Sequence, residues 1–194
     1  MNAVMSDSVP PGRDIIVVNG ADEEIGQDFK AAVHQGDGIL HRAFSVYLFD
    51  PQSRLLLQQR SELKPLWPGY WSNSCCSHPR PGEATREAAA RRLREELGLI
   101  RVQSLSFLFK FQYHARYGQF AAEHEVCSVF AAVADQPASI DRSEVAQTCY
   151  VEAGLLDRQL HDRPQQYTPW LHLAWKRIRA DHWAAIDRMV GEAA

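Results

Sequence analysis

Two short segments carry groups suited to proton and metal chemistry. Cys76 and His78 stand two residues apart in Asn73-Ser74-Cys75-Cys76-Ser77-His78-Pro79, and Glu123 and Glu125 stand two apart in Glu123-His124-Glu125. In an extended chain residues i and i+2 point to one side, so each segment can aim both of its groups into one pocket. A thiol, an imidazole and paired carboxylates suit a divalent metal and proton transfer. The inventory is that of an enzyme.

The elements that must position these groups can be traced in the pattern of apolar residues. Asp14–Val18 reads as a strand ended by the Asn19-Gly20 turn, and Gln27–His34 has helical spacing stopped by Gly36 and Gly38. Ala43–Phe49 and Arg54–Gln59 read as a hairpin around Asp50-Pro51-Gln52-Ser53. Trp67–Trp71 contains Pro68-Gly69 and is expected to be irregular. Glu83–Leu97 is the strongest helix, with Gly98 placed to end it. Leu105–Tyr113 alternates, setting Phe107, Phe109, Phe111 and Tyr113 on one side of a strand. Ala121–Val133 and Val145–Val151 complete the strands, and Trp170–Val190 is helical, in two pieces. Hairpins replace a regular strand–helix alternation, so the fold class is α/β of the α+β kind, a mixed sheet flanked by helices.

Composition bounds the rest. A chain of 194 residues, 45% hydrophobic and 23% charged, suits one domain, expected over 14–194, with residues 1–13 disordered. A net charge of −3 offers no basic footprint for nucleic acid. The polar start lacks the apolar core of a secretory signal, and no apolar run is long enough to span a bilayer. Four cysteines, two of them adjacent, do not make a disulfide framework. Free thiols in a reducing cytoplasm are the expectation.

Around the strong helix, Glu83, Arg91, Leu93, Glu95, Glu96, Gly98 and Leu99 resemble the Nudix box, Gly-x5-Glu-x7-Arg-Glu-U-x-Glu-Glu-x-Gly-U, where U is aliphatic. Ser77 replaces its first glycine and Arg92 replaces a glutamate. The box argues for the fold and, with a cation inside its carboxylate cluster, against the usual hydrolysis. Arg91 and Glu95 are assigned structural roles. Together with Trp67–Pro79, Glu123-His124-Glu125-Val126-Cys127 and Thr168-Pro169-Trp170, the chain resembles type 1 isopentenyl-diphosphate isomerases, the Nudix-fold form of that enzyme, from about Gln27 to Trp175.

That resemblance implies a metal, Mn²⁺ or Zn²⁺, on His34, His41, His78, Glu123 and Glu125. On a straight helix His34 and His41 would stand about 10 Å apart at ~1.5 Å per residue, so the chain must bend at Gly36 and Gly38 to bring both to one ion. It implies a Mg²⁺ held with the substrate by Glu96 and the Cys76 carbonyl, and diphosphate anchors at Lys30, Arg60, Lys64 and Arg92. Cys76 and Glu125 are the expected acid and base on opposite faces of the alkene, with Tyr113 orienting Glu125 and Trp170 stabilising a carbocation. Cys75, adjacent but facing away in an extended chain, is left out. The partner is then a prenyl diphosphate, with neither nucleic acid nor membrane, and the state a monomer or weak homodimer. Two rivals are a Nudix hydrolase of another diphosphate, and a binding domain with a closed structural zinc on His34, His41, Cys76 and His78.

Overall fold

β3 (His41–Phe49) is the strand around which the chain folds; eight of its nine residues are buried. Its side chains Phe44, Val46 and Leu48 alternate with Ala43, Tyr47 and Phe49, apolar on both faces, as a strand covered on both sides requires. The computed structural model describes residues 14–134 and 139–193 apart from 101 and 103, and the expectation for residues 1–13 lies outside these. β8 (Ala121–Val133) runs parallel to β3 along its length, from His41↔Glu125 to Phe49↔Val133, and β7 (Ser104–Tyr117) pairs antiparallel with β8. The other edge of β3 is shared. β1 (Ile15–Val18) meets it at His41, β6 (Cys75–Ser77) at Phe44–Val46, and β4 (Leu55–Arg60) at Phe49. β2 (Glu24–Asp28) extends β1, while β5 (Trp71–Ser72) and β9 (Val145–Val151) pair with β4.

Helices cover both faces. α2 (Thr85–Leu97) buries Ala88, Ala89, Leu93 and Leu97 against Phe44, Val46, Leu48, Cys75 and Phe130. It ends where the sequence requires: Gly98 is left-handed (φ 66°) and its N–H donates to the Arg94 carbonyl, the single bond of an αL closure. A side chain at Gly98 would also meet Ser139 at 2.8 Å. On the opposite face α3 (Ala153–Asp162), α4 (Pro169–Arg177) and α5 (Trp183–Ala193) pack Leu156, Leu160, Leu171, Trp175 and Ile186 on Tyr47, Phe49, Val129 and Ala131. A π-helical stretch, Ile178–His182, joins α4 to α5. Among the described residues no helix is long and apolar enough to cross a membrane.

Three expectations are corrected. The helical spacing of Gln27–His34 is overridden by pairing with β1, which draws Glu24–Asp28 into β2 and leaves only the short α1 (Lys30–Val33). The main helix starts at Thr85 rather than Glu83 because Glu83 folds back, accepting from the Arg80 N–H and from Arg91. A bulge between Phe107 and Phe109 breaks the aromatic row: Phe109 is 5% exposed, whereas Phe107 turns outward at 56%. α3 has no counterpart among the expectations.

Candidate active site

A cavity of about 510 Å³ opens beside the starts of β3 and β8, on the sheet face that carries α4. Strand alternation brings its floor together. His41 pairs with Glu125, Ser45 pairs with Cys76, and all four lie on the side chain-bearing face opposite Phe44 and Val46. Cys75 falls on the α2 face, as its position next to Cys76 requires.

The imidazoles of His34, His41 and His78 and the carboxylate of Glu123 present ligand atoms that all lie within 4.8 Å of one another. His34 caps the end of α1 and His41 begins β3. The turn between them passes through Gly36 (φ 60°) and Gly38 (φ 73°), and a Cβ at Gly38 would come 3.0 Å from the Ala122 carbonyl. The expected bend is therefore present, and the two rings meet edge to face at 5.0 Å. Backbone carbonyls set the tautomers: His34 Nδ1 lies 2.5 Å from the Lys30 carbonyl and His41 Nδ1 lies 2.7 Å from that of Ile39. In the neutral rings both Nε2 atoms then carry lone pairs directed into the cluster.

His34 Nε2 lies 2.8 Å from Glu123 Oε2, and against the effect of burial this pairing raises the imidazole and lowers the carboxyl; His41 Nε2 lies 3.1 Å from His78 Nε2. Glu125 Oε1 is 3.4 Å from His78 Nε2 and 3.7 Å from His41 Nε2. Burial holds the His41 imidazole down to about 4 and pushes His78 well below its ordinary range. Burial, together with the neighbouring Glu123 carboxylate, raises Glu125 well above the usual carboxylate range. Three converging imidazole nitrogens and two buried carboxyl groups form a donor set that a divalent cation fits. Neither the Cys76 sulfur nor Glu125 is among the four gathered groups; the four-ligand set containing Cys76 is therefore not the one assembled, and Glu125 borders the cluster through Oε1.

Cys76 sits on β6 and Glu125 on β8, the strands that flank β3 on either side, and both line the cavity. The Cys76 thiol donates to Asn73 Oδ1 at 3.0 Å and lies 3.3 Å from the Ser45 hydroxyl. Burial pushes it up to about 11, against the pull of Ser45. The Tyr113 hydroxyl donates to Glu125 Oε2 at 2.8 Å. Trp170, on α4, walls the cavity with its ring in T-shaped contact with Trp67 at 5.1 Å. Trp67 itself holds a left-handed backbone (φ 47°), and its carbonyl and that of Leu66 accept from Arg60. That strained loop seats the Arg60 guanidinium 5.4 Å over the Trp170 ring.

Lys30, Arg60 and Lys64 line the cavity; Arg92 and Glu96 do not. Arg92 instead donates to Glu95 at 2.8 Å, Glu96 at 2.5 Å and Glu144 at 2.9 Å. The other Glu144 oxygen accepts from Lys64 at 2.5 Å. Although burial raises it, Lys64 and Arg92 hold the Glu144 carboxyl down to about 2. Glu144 is thus the joint between the helix-borne and the cavity-lining cations. Sequence reasoning missed it, along with Asn73 and Ser45. Asn73 stood inside the most informative motif, whereas Glu144 has no local signal, lying in the turn before β9. Arg91 and Glu95 take their structural roles: Arg91 grips Glu83 through two bonds of 2.7 and 2.8 Å and reaches Glu95 at 3.1 Å.

The profile of the NUDIX domain family matches residues 39–171. A protein of Photorhabdus laumondii named isopentenyl-diphosphate Delta-isomerase 1 is 37% identical over 169 residues, covering 87% of this chain and 96% of its own. An isopentenyl-diphosphate Delta-isomerase of Saccharopolyspora erythraea is 41% identical over 157 residues, covering 80% of each chain. Among solved structures, DR0079 from Deinococcus radiodurans superposes with a TM-score of 0.69 at 19% identity, covering 84% of this chain and 97% of that one. The MutT protein of Methanosarcina mazei gives 0.57 at 15%, covering 72% and 93%. These superpositions show a shared mixed sheet with flanking helices.

Proposed function

The chain belongs to the isopentenyl-diphosphate isomerases of the Nudix fold, and from that premise we propose that its cavity interconverts isopentenyl and dimethylallyl diphosphate for isoprenoid biosynthesis. The observation that carries this reading is the placement of Cys76 and Glu125 on the two strands flanking β3, both open to one cavity. A hydrolase has no use for a thiol there, and Arg92 with its three carboxylate partners occupies the box where hydrolysis would gather metal.

The chemistry is a 1,3-shift of a proton. The π pair at the terminal methylene takes a proton from one group, leaving a tertiary cation at C3. The opposite group removes a proton from C2, and that C–H pair becomes the new double bond. Oxidation state is unchanged. Acid and base finish the turnover with exchanged protonation, so each must re-equilibrate with solvent before the next. Cys76 and Glu125 take these roles in our reading, with Tyr113 holding Glu125 Oε2 and so fixing the orientation of the carboxyl group. Trp170 offers its π face to the cation, a contribution of about 2 kcal/mol in a dry pocket. The apolar walls formed with Trp67 and Leu66 exclude the water that would trap the cation as an alcohol.

His34, His41, His78, Glu123 and Glu125 would hold one divalent ion, Mn²⁺ or Zn²⁺, and when bound it would make the Glu125 carboxyl the stronger acid that carbon protonation demands. Lys30, Arg60 and Lys64 would take the diphosphate by charge-assisted hydrogen bonds. Arg92 would join them from behind the wall once a phosphate oxygen competes with Glu144. Glu96 and the Cys76 carbonyl would hold a Mg²⁺ arriving with the diphosphate and would so help neutralise its charge; Glu96 Oε1 accepts from Arg92.

The test is an incubation of purified protein with isopentenyl diphosphate, Mg²⁺ and D₂O. Dimethylallyl diphosphate carrying deuterium is the expected product. Unchanged substrate, or released phosphate without an isomer, overturns the reading.

A further inference from the structure

Asn73 is wholly buried, and every hydrogen-bonding position of its amide is filled. Its Nδ2 donates to the Val46 carbonyl and to the Cys75 carbonyl, each at 3.0 Å. With both N–H groups committed to carbonyls on β3 and β6, the amide cannot be turned over, and Oδ1 must face the other way. There it accepts from the Cys76 thiol at 3.0 Å and from the Ser72 hydroxyl at 3.2 Å. An oxygen so placed can hold the Cys76 proton, but it has no hydrogen to offer a bare sulfur.

Ser72 carries the same logic to the opposite wall. Its Oγ accepts from the Trp170 indole N–H at 3.0 Å and lies 3.0 Å from the Thr168 hydroxyl. With its own proton given to Asn73, Ser72 accepts from both Trp170 and Thr168, and every group is satisfied once. The Thr168 N–H donates to the Trp71 carbonyl at 2.9 Å, which seats the start of α4 on β5. Ser72 and Thr168, like Asn73, have no exposed surface. A half-satisfied buried network would be worse than an apolar core, so this one has a single workable arrangement.

We propose that Asn73, through Ser72, is a positioning residue that sets the Cys76 sulfur and the Trp170 ring relative to one another and holds the thiol hydrogen in a defined direction. The two groups reach the cavity from different elements, β6 and α4, and this relay is the polar connection between them. In the isomerase reading, on which the kinetic arm rests, the spacing fixed here is that between proton carrier and cation-facing ring. The relay itself stands on geometry alone.

Two arms test it with Ser72→Ala and Asn73→Ala in the full chain. The first labels tryptophan with ¹⁵N and follows the Trp170 indole resonance, identified by its loss in Trp170→Phe. Ser72→Ala removes its acceptor and moves the indole proton upfield; Asn73→Ala moves the same resonance although it touches Trp170 nowhere. The second arm measures turnover per folded enzyme. Asn73→Ala lowers kcat about 100-fold and Ser72→Ala about tenfold, with KM held within about threefold, the signature of lost alignment rather than lost binding. Trp170→Phe combined with Ser72→Ala is non-additive in kcat. An indole signal unmoved in either variant, an unchanged kcat, a KM rising as much as kcat falls, or strict additivity overturns the proposal. Should Asn73→Ala fail to fold, Ser72→Ala decides alone. Should the wild type not isomerise, the isomerase reading falls and the NMR arm still decides whether the relay exists.

Discussion

Cys75 and Cys76 are neighbours of the same type, and the sheet assigns them to different worlds. Cys75 packs among Phe44, Val46, Leu93 and Leu97 under α2, fully buried and outside the cavity that Cys76 lines. Cys76 turns to the other face, where Ser45 and Asn73 meet its sulfur and Arg60, Tyr113 and Glu125 share its cavity. The same alternation divides β3: Phe44, Val46 and Leu48 serve the α2 core, while His41 and Ser45 serve the cavity. The α2 face is dominated by apolar contacts. The other carries the buried and half-buried polar groups His41, Ser45, Cys76, Glu123 and Glu125, to which our reading brings an ion and an anion. Chemistry resides in the face, not the residue type.

The sharpest way to break that contrast is to truncate the two thiols separately. Cys76→Ala is expected to lower kcat by about 10³-fold or more, as loss of a proton carrier does, with melting temperature little changed. Cys75→Ala should leave kcat intact and cost on the order of 1 kcal/mol in denaturant unfolding, the price of a small cavity. Glu125→Gln belongs with Cys76→Ala, and Tyr113→Phe follows with a smaller fall, about tenfold in kcat. Equal kinetic damage from both cysteine variants would erase the distinction between the faces.

Metal removal probes the unfinished side. A chelator should abolish turnover and lower thermal stability together, because the His34–His41–His78–Glu123 cluster then buries carboxylates and lone pairs without their counter-charge. Returning Mn²⁺ or Zn²⁺ should restore both, by about 3 kcal/mol at a hundredfold excess over Kd. His41→Ala should lose bound metal in elemental analysis. Stability that is indifferent to chelation would show that the cluster is complete as it stands.

The α2 face should respond in the opposite sense. Leu93→Ala is expected to cost about 2–5 kcal/mol of unfolding free energy while kcat per folded molecule stays near that of the parent. A large kcat effect would mean that the two faces are mechanically coupled.

This asymmetry also explains what could be read from the chain. β8 and β9 match the sequence reading to the residue, at Ala121–Val133 and Val145–Val151, and Gly98 marked the end of α2. The Cys76, His78, Glu123 and Glu125 groups were legible because i, i+2 spacing in extended chain puts each pair on a common side, and all four line the cavity. Glu24–Asp28 was not, since its strand state is imposed by β1 and not by its own sequence. The outward turn of Phe107 depends on a bulge, which inserts one residue without a local signal. Asn73 and Ser72 were in view as letters, but their partners Val46, Trp170 and Thr168 come from 27 to 98 residues away. Hydrogen-bond closure is a tertiary property.

Glu144 gives the smallest expected effect and the finest cut between the faces, because it belongs to neither. Its backbone is pinned, the N–H to Asp141 and the carbonyl to Ser61, so only the side chain can respond to substrate. Glu144→Gln removes the charge that spaces Lys64 and Arg92 while keeping the shape. Two cations left without their shared carboxylate should splay, and KM should rise about threefold to tenfold with kcat nearly unchanged. The stability consequence has a defined sign. The Glu144 carboxyl is held down to about 2 from an ordinary 4.5, so its contribution is present above about 4.5 and fades as pH falls toward about 2. Wild type and Glu144→Gln should therefore differ in denaturant midpoint at neutral pH and converge in acid. A KM that falls in Glu144→Gln would instead show that the carboxylate competes with the diphosphate more than it organises the cations that receive it.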